Sequence, residues 1–202
     1  MAFSELCITS NFTFLTGGSH PQEYARLASK MNMPAFAIAD INSVVGRERA
    51  HQELREVQRE TGQASRLIPA VTLETMDGFR VAALPHNRAG WANLCRILTL
   101  GRRRASKGAC ELHLADILEW GGQQTLVIHP HGNYRSYTRQ LAQAFPNQCY
   151  LMLSPRYNGQ DNIRFEQLTV FADQLNVPTV ASAAPIMHAA ERRRATDVMT
   201  CI

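Results

Sequence analysis

ELCITSNFTFLTGGSHP, residues 5–21, joins a short β-prone run to a loop rich in Thr, Gly and Ser and then to the start of a helix. The run FSELCIT, Phe3–Thr9, is typical of a strand. A helix is predicted to begin near His20 in HPQEYARLASKMN, because Pro21 suits a first helical turn and apolar residues follow at helical spacing. The segment therefore predicts a strand–loop–helix unit, with its loop at the carboxyl end of the strand.

The same alternation continues along the chain. Further strands are predicted at Ala35–Asp40, Arg66–Glu74, Phe79–Pro85, Thr125–His129, Cys149–Ser154 and Pro178–Ala183. Helices are predicted at Ser43–Thr61, Ala89–Leu100, Leu114–Trp120, Tyr134–Phe145 and Ile163–Leu175, with a polar helix from Ala189. Short strands separated by helical crossovers indicate an α/β fold with a mainly parallel sheet. Six or seven such units are consistent with a closed or distorted (β/α)7-type barrel.

Length and composition favour one domain over residues 1–202, since 202 residues with 45% hydrophobic composition can bury a substantial core. The net charge of +4 permits a polyanionic partner without requiring one.

The five cysteines are odd in number and form no CxxC pair, which favours reduced thiols. No signal peptide or run of about 20 apolar residues is present, so we expect a soluble cytoplasmic protein without a membrane partner.

Chemistry in parallel barrels is placed at the carboxyl ends of the strands. The residues at those predicted ends are Thr9, Asp40, Thr72, His129, Ser154 and Ala184.

Three phrases carry a family resemblance. Ser10–His51, His86–Gly108 and Met187–Ile202 resemble the opening, a later stretch and the end of the polymerase-and-histidinol-phosphatase (PHP) domain that begins bacterial C-family DNA polymerases. The triple arginine, SNFTFL and MHAAERR resemble the error-prone, lesion-bypass branch of that family. The resemblance covers essentially the whole chain. It implies a distorted (β/α)7-type barrel of the PHP family, and the N-terminal module of a longer polymerase.

The resemblance also implies where metal ligands would lie. PHP enzymes hold divalent ions with His, Asp and Glu at the strand ends, and the ions activate water for phosphoester hydrolysis. The matching positions that have lost a ligand are Cys7, Thr9, Ile41, Thr72, Ala184 and Ile186. Only Asp40 and His129 remain as weak remnants, so we expect neither a metal site nor catalytic residues in this module.

The remaining polar residues have two interpretations each. Asp40 is a helix or loop cap for the following turn, or a surviving ligand; if the module is metal-free, we expect Asp40→Ala to change stability only slightly. His129 and His131 form an ordinary loop pair or a small metal or phosphate site. Cys7 is a small core residue or a thiolate ligand.

Two basic clusters are candidates for phosphate-backbone contact or for solvated and inter-domain surface. One is a predicted loop after a helix, with Arg102, Arg103, Arg104 and Lys107, and the other is Arg192–Arg194 on the last helix. No aromatic residues interleave with them, so stacking on single-stranded DNA is not supported.

The leading hypothesis is a metal-free platform for an error-prone DNA-directed DNA polymerase acting in damage-induced synthesis. Its partners would be the palm and thumb of the same chain, DNA through the parent protein, and other replication or damage-response factors. The resemblance implies Mg²⁺ for the polymerase core and no cofactor for this module. The alternatives are a metal-dependent phosphoesterase or 3′–5′ proofreading nuclease on the same barrel, and a free-standing interaction protein.

Overall fold

The computed structural model describes residues 3–199 and 201–202. Within this part of the chain there are eight strands, seven α-helices and one short 3₁₀ helix. The strands are β1 (Glu5–Ile8), β2 (Ala35–Ile38), β3 (Arg66–Pro69), β4 (Val71–Glu74), β5 (Arg80–Pro85), β6 (Gln124–Ile128), β7 (Cys149–Leu153) and β8 (Thr179–Ala181). The helices are α1 (Pro21–Lys30), α2 (Val45–Thr61), α3 (Arg88–Arg104), α4 (Leu114–Trp120), α5 (Tyr134–Ala144), α6 (Asp161–Gln174) and α7 (Arg193–Met199), with the 3₁₀ helix at Ala190–Arg192.

The chain divides into two compact units. The first unit comprises residues 3–71 and the described residues from 184 onward, and the second comprises residues 72–183. The sequence predicts one domain over residues 1–202, and each unit is described by itself below.

The first unit contains a parallel three-stranded sheet in the order β1-β2-β3. Strand β2 is central, with Phe36 facing Glu5 on one side and Leu67 on the other. Phe36 and Ile38 pack in a core cluster with apolar side chains from α1 and α2. Two consecutive β–α–β units on a parallel sheet account for this layout.

The helix boundaries of the first unit follow local signals. Pro21 is the first residue of α1, and the Glu23 side chain accepts a hydrogen bond of 2.7 Å from the His20 amide. Helix α2 ends at Gly62, whose φ of 74° is left-handed. Both predicted boundaries are confirmed.

The last described residues return to the first unit. The Thr9 amide donates to the Pro185 carbonyl at 3.0 Å, and the Gly18 amide donates to the Ile186 carbonyl at 2.7 Å. His188 lies 2.8 Å from the Ser19 hydroxyl through its Nδ1. These bonds tie the loop after β1 to a segment more than 150 residues later, as the numbering shows.

The second unit contains a five-stranded sheet in the order β4-β5-β6-β7-β8. Strands β6, β7 and β8 are parallel, whereas β5 pairs antiparallel with β6. The α/β class is therefore confirmed. The described strands lie in two sheets, and no closed barrel is formed among them.

One predicted strand, Arg66–Glu74, is wrong as a single element. The structure ends β3 at Pro69 and begins β4 at Val71, in a different sheet. Pro69 has no amide hydrogen, so it cannot continue a ladder as a donor.

The predicted loop at Arg102–Arg104 is also wrong, because α3 continues to Arg104. Gly101 is inside the helix and is buried, and a Cβ there would lie 2.6 Å from Leu112 Cδ2 and 2.7 Å from the sulfur of Cys110. Gly101 therefore permits close packing and does not stop the helix. Arginines favour helical conformation and suit the negative C-terminal end of a helix.

None of the described helices is long and apolar enough to cross a membrane.

Candidate functional site

Asp40 follows β2 in the first unit and is 1% exposed. Its carboxylate accepts hydrogen bonds from the Ser10 amide at 2.7 Å, the Ser10 hydroxyl at 2.7 Å and the Thr13 hydroxyl at 2.9 Å. Burial raises the pKa of Asp40, and the hydrogen bonds from Ser10 and Thr13 oppose that rise. Asp40 thus caps the loop after β1.

The first turn of α2 is shaped around this carboxylate. A Cβ at Gly46 would overlap Asp40 Oδ2 and lie 3.0 Å from Ser10 Oγ. The Thr13 hydroxyl also accepts a hydrogen bond of 3.0 Å from the Ile41 amide. Asp40 therefore depends on a glycine for space, and Thr13 connects its loop to the one that follows β2.

Three of the positions that match lost family ligands, Cys7, Thr9 and Thr72, are buried or hydrogen-bonded within the fold. Cys7 is buried in β1. Thr9 uses its carbonyl to accept a hydrogen bond of 3.3 Å from the Tyr24 hydroxyl. Thr72 is the second residue of β4 and is buried, so it does not end the strand as predicted.

A metal centre requires several ligands that converge. Among the residues that the structure describes, no three His, Cys, Asp or Glu side chains form such a group. Both carboxylate oxygens of Asp40 already accept hydrogen bonds from Ser10 and Thr13. The donor set does not fit the metal cluster that the family resemblance implies.

A different site lies in the second unit, at the carboxyl ends of β6 and β7. It is a pocket of about 190 Å³, which we call the basic pocket. It is lined by Arg80, His129, Pro130, His131, Met152, Ser154, Arg156 and Arg164.

The sheet topology brings the lining residues together. Because β5 is antiparallel to β6, its first residue lies beside the end of β6, and the His129 amide donates to the Arg80 carbonyl at 3.1 Å. Ser154 follows β7, and Arg164 comes from the first turn of α6 and donates to the Ser154 carbonyl. Arg80 thus meets Arg156 and Arg164, which lie more than 70 residues later in the sequence, at two strand ends.

Carboxylates neutralise part of this charge. Arg80 Nε lies 2.8 Å from a Glu74 oxygen, and Arg164 lies 3.1 Å from an Asp161 oxygen. The Asp161 carboxylate also accepts a hydrogen bond of 2.9 Å from the Arg156 amide. The Arg156 side chain is exposed, and no acidic partner for its guanidinium is found among the described residues. Three guanidiniums and two paired carboxylates leave an excess of one positive charge.

His129 is the most perturbed group of the basic pocket. Burial lowers its pKa to about 4, and the positive charges of Arg80 and His131 act in the same direction. Its Nε2 is buried and has no hydrogen-bond partner in the described part of the chain, and the same holds for Arg164 Nε. His131 is exposed, and its Nδ1 lies 3.3 Å from the Gly78 carbonyl oxygen. The two histidines therefore differ sharply in environment.

Arg104 differs in its contacts from the other residues of the predicted nucleic-acid-binding cluster, Arg102, Arg103 and Lys107. Arg104 makes two hydrogen bonds, of 2.6 and 2.8 Å, to the Asp116 carboxylate, which is 4% exposed. This pairing lowers the pKa of Asp116. Arg102, Arg103 and Lys107 are exposed, so they stay candidates for DNA contact.

Sequence reasoning selected His129, His131 and Ser154 but missed Arg80, Arg156 and Arg164. The three arginines are single residues in different segments, and no local pattern joins them. The only signal was the position of Arg80 near the start of the predicted strand Phe79–Pro85, and that signal is weak.

The chain matches no family model. It is 34% identical over 237 residues to the error-prone DNA polymerase of Ruegeria pomeroyi, covering 100% of this chain and 22% of that protein. It is 35% identical over 204 residues to the error-prone DNA polymerase of Brucella abortus, covering 98% of this chain and 19% of that protein. It is also 35% identical over 209 residues to that of Rhodopseudomonas palustris, covering 100% of this chain and 18% of that protein. The chain thus spans about a fifth of the length of these curated relatives.

Solved structures show a similar fold. A protein named as a metal-dependent phosphoesterase from Bifidobacterium adolescentis has a TM-score of 0.66 at 9% identity, covering 97% of this chain and 96% of that one. An amidohydrolase from Chromobacterium violaceum, solved with sulfate and no metal, has a TM-score of 0.61 at 14% identity, covering 98% of this chain and 97% of that one. At these identities the likeness concerns the fold alone.

Proposed function

We propose that this chain is the N-terminal module of an error-prone DNA-directed DNA polymerase acting in damage-induced synthesis. The observation that carries the proposal is similarity over the whole chain to error-prone DNA polymerases that are about five times longer. On this proposal the module is a distorted barrel of the PHP family. The catalytic aspartates and their Mg²⁺ ions belong to the palm, outside these 202 residues.

The module acts as a metal-free platform that packs against the palm and thumb of its own polymerase chain. Support comes from Cys7, at a position that has lost its ligand, which is a buried strand residue, and from the remnant Asp40, which caps a loop. A catalytic metal cluster would need those side chains to point their donors at an ion. DNA and further replication factors would be reached through the parent protein, with Arg102, Arg103 and Lys107 as the exposed cations available for DNA contact.

The size of the native protein tests the modular part of this proposal. An antibody raised against the chain should detect a band far above 22.6 kDa in the cells that express it. A band at 22.6 kDa alone would contradict the proposal and favour a free-standing interaction protein.

Metal content tests the platform role. Purified chain, measured by elemental mass spectrometry, should contain no stoichiometric Zn or Mn and should not hydrolyse p-nitrophenyl phosphate or a 3′-labelled oligonucleotide. One or more equivalents of metal that disappear in His129→Ala, together with hydrolysis that also disappears, would instead support the phosphoesterase or proofreading nuclease. The exposed variant Arg49→Gln is the matched control, because it lies on α2, outside every site described above.

A further inference from the structure

We propose that the basic pocket binds a phosphate group directly through its guanidinium and imidazole groups, without a metal ion. This site is independent of the platform role, which requires no ligand in the second unit.

The first argument is the donor set. Arg80, Arg156 and Arg164 reach the pocket from three different segments, and arginine offers several N–H donors in a planar fork that matches phosphate oxygens. Ser154 adds a hydroxyl group and His129 a ring nitrogen to the same lining. A tetrahedral oxyanion, with acceptors pointing in several directions, is complementary to such a set.

The second argument is that two polar atoms of the pocket lack partners. His129 Nε2 and Arg164 Nε are buried, and neither has a hydrogen bond within residues 3–199 and 201–202. A buried polar atom without a partner is destabilising, because it has lost its hydrogen bonds to water. An oxyanion in the pocket would accept a hydrogen bond from Arg164 Nε, and one from His129 when Nε2 carries a proton.

The third argument is charge. Glu74 and Asp161 pair with two of the arginines, and the exposed Arg156 guanidinium supplies the remaining positive charge. This excess attracts an anion and repels a divalent cation, since like charges in a partly buried site interact strongly. Nearby Asp77 does not line the pocket, and its carboxylate accepts hydrogen bonds from the hydroxyls of Thr75 and Tyr137.

Size and access also suit a phosphate group. A volume of about 190 Å³ is many times the roughly 10–15 Å³ that one water molecule requires, so a phosphate group fits. Arg156 and His131 are exposed, so the ligand can enter from solvent. Inorganic phosphate and the terminal phosphate of a nucleic acid strand share this chemistry.

Calorimetric titration of the 202-residue chain tests the inference. Inorganic phosphate, added in the millimolar range with EDTA present and ionic strength held constant, should bind saturably at one site. Arg156→Gln should weaken the affinity about tenfold, because one charge-assisted contact is lost, and Arg156→Lys should recover part of it. The matched control Arg49→Gln should bind as the unsubstituted chain does.

A second titration separates the two sources of the phosphate. A short oligonucleotide with a 5′-phosphate is compared with the same oligonucleotide without it. Tighter binding of the phosphorylated strand than of inorganic phosphate supports a strand end as the ligand, and equal binding supports the free ion. The inference is overturned if inorganic phosphate does not saturate, if EDTA abolishes binding, or if Arg156→Gln has no effect.

Discussion

Acidification should destabilise the fold through His129. Burial and the nearby positive charges lower the pKa of His129 from 6.5 to about 4 in the folded chain. The unfolded chain therefore binds a proton more readily than the folded chain does. The stability that this difference supplies is fully present above pH 6.5, is lost as the pH falls from 6.5 towards 4, and changes no further below 4.

The magnitude follows from the two pKa values. Their full difference corresponds to about 3 kcal/mol in the free energy of unfolding, and about 2 kcal/mol of this is lost between pH 7 and pH 5. This loss is a large fraction of the total stability of an ordinary domain. Other groups titrate over the same interval, so the contribution of His129 has to be isolated by substitution.

Urea unfolding followed by circular dichroism measures the effect. The free energy of unfolding is determined at pH 7 and pH 5 for the unsubstituted chain and for His129→Gln, in buffers free of phosphate and sulfate. The unsubstituted chain should lose about 2 kcal/mol more than His129→Gln over that interval. Equal losses in the two proteins would refute the assignment of a depressed pKa to His129. Addition of phosphate should reduce the loss, because a bound anion favours the protonated imidazole.

Three substitutions test the packing around the other polar groups, with urea midpoints as the measurement. Gly46→Ala should cost about 1–3 kcal/mol, because the new methyl group overlaps a carboxylate oxygen. Gly122→Ala, with nothing within 4 Å of the added Cβ, is its control, and an equal loss there would refute the steric argument. Arg104→Gln should lower the urea midpoint by leaving a buried carboxylate without its cation, whereas the neighbouring Arg103→Gln should leave the midpoint unchanged. Asp40→Ala removes the acceptor of three hydrogen bonds and should cost about 2–4 kcal/mol, more than the slight change expected from the sequence; a loss below about 0.5 kcal/mol would restore that expectation.

Local signals in the sequence predict the elements well. Pro21 and Gly62 mark helix ends because a fixed φ and a left-handed φ are properties of single residues. Strand and helix types follow from apolar spacing, since that spacing reports which face is buried. These properties do not depend on partners distant along the chain.

Errors arise where distant contacts override local signals. A glycine such as Gly101 often marks the end of a helix. Here its missing side chain lets the helix backbone lie close to Leu112, and the helix continues. The antiparallel pairing of β5 with β6 depends on the whole sheet. That pairing is also what brings Arg80 beside His129, so the basic pocket was not predictable from any single segment.

The division of the chain has a consequence for its synthesis. Residues 72–183 leave the ribosome as one continuous stretch, so the second unit is complete before the first unit has all its parts. The amides of Thr9 and Gly18 are made early, but their acceptors, Pro185 and Ile186, are made only after the whole second unit. A nascent chain halted at residue 183 lacks both acceptors, and unpaired amides are poorly tolerated in a folded interior. Of the two units, the one that begins the chain is therefore expected to finish folding after the other.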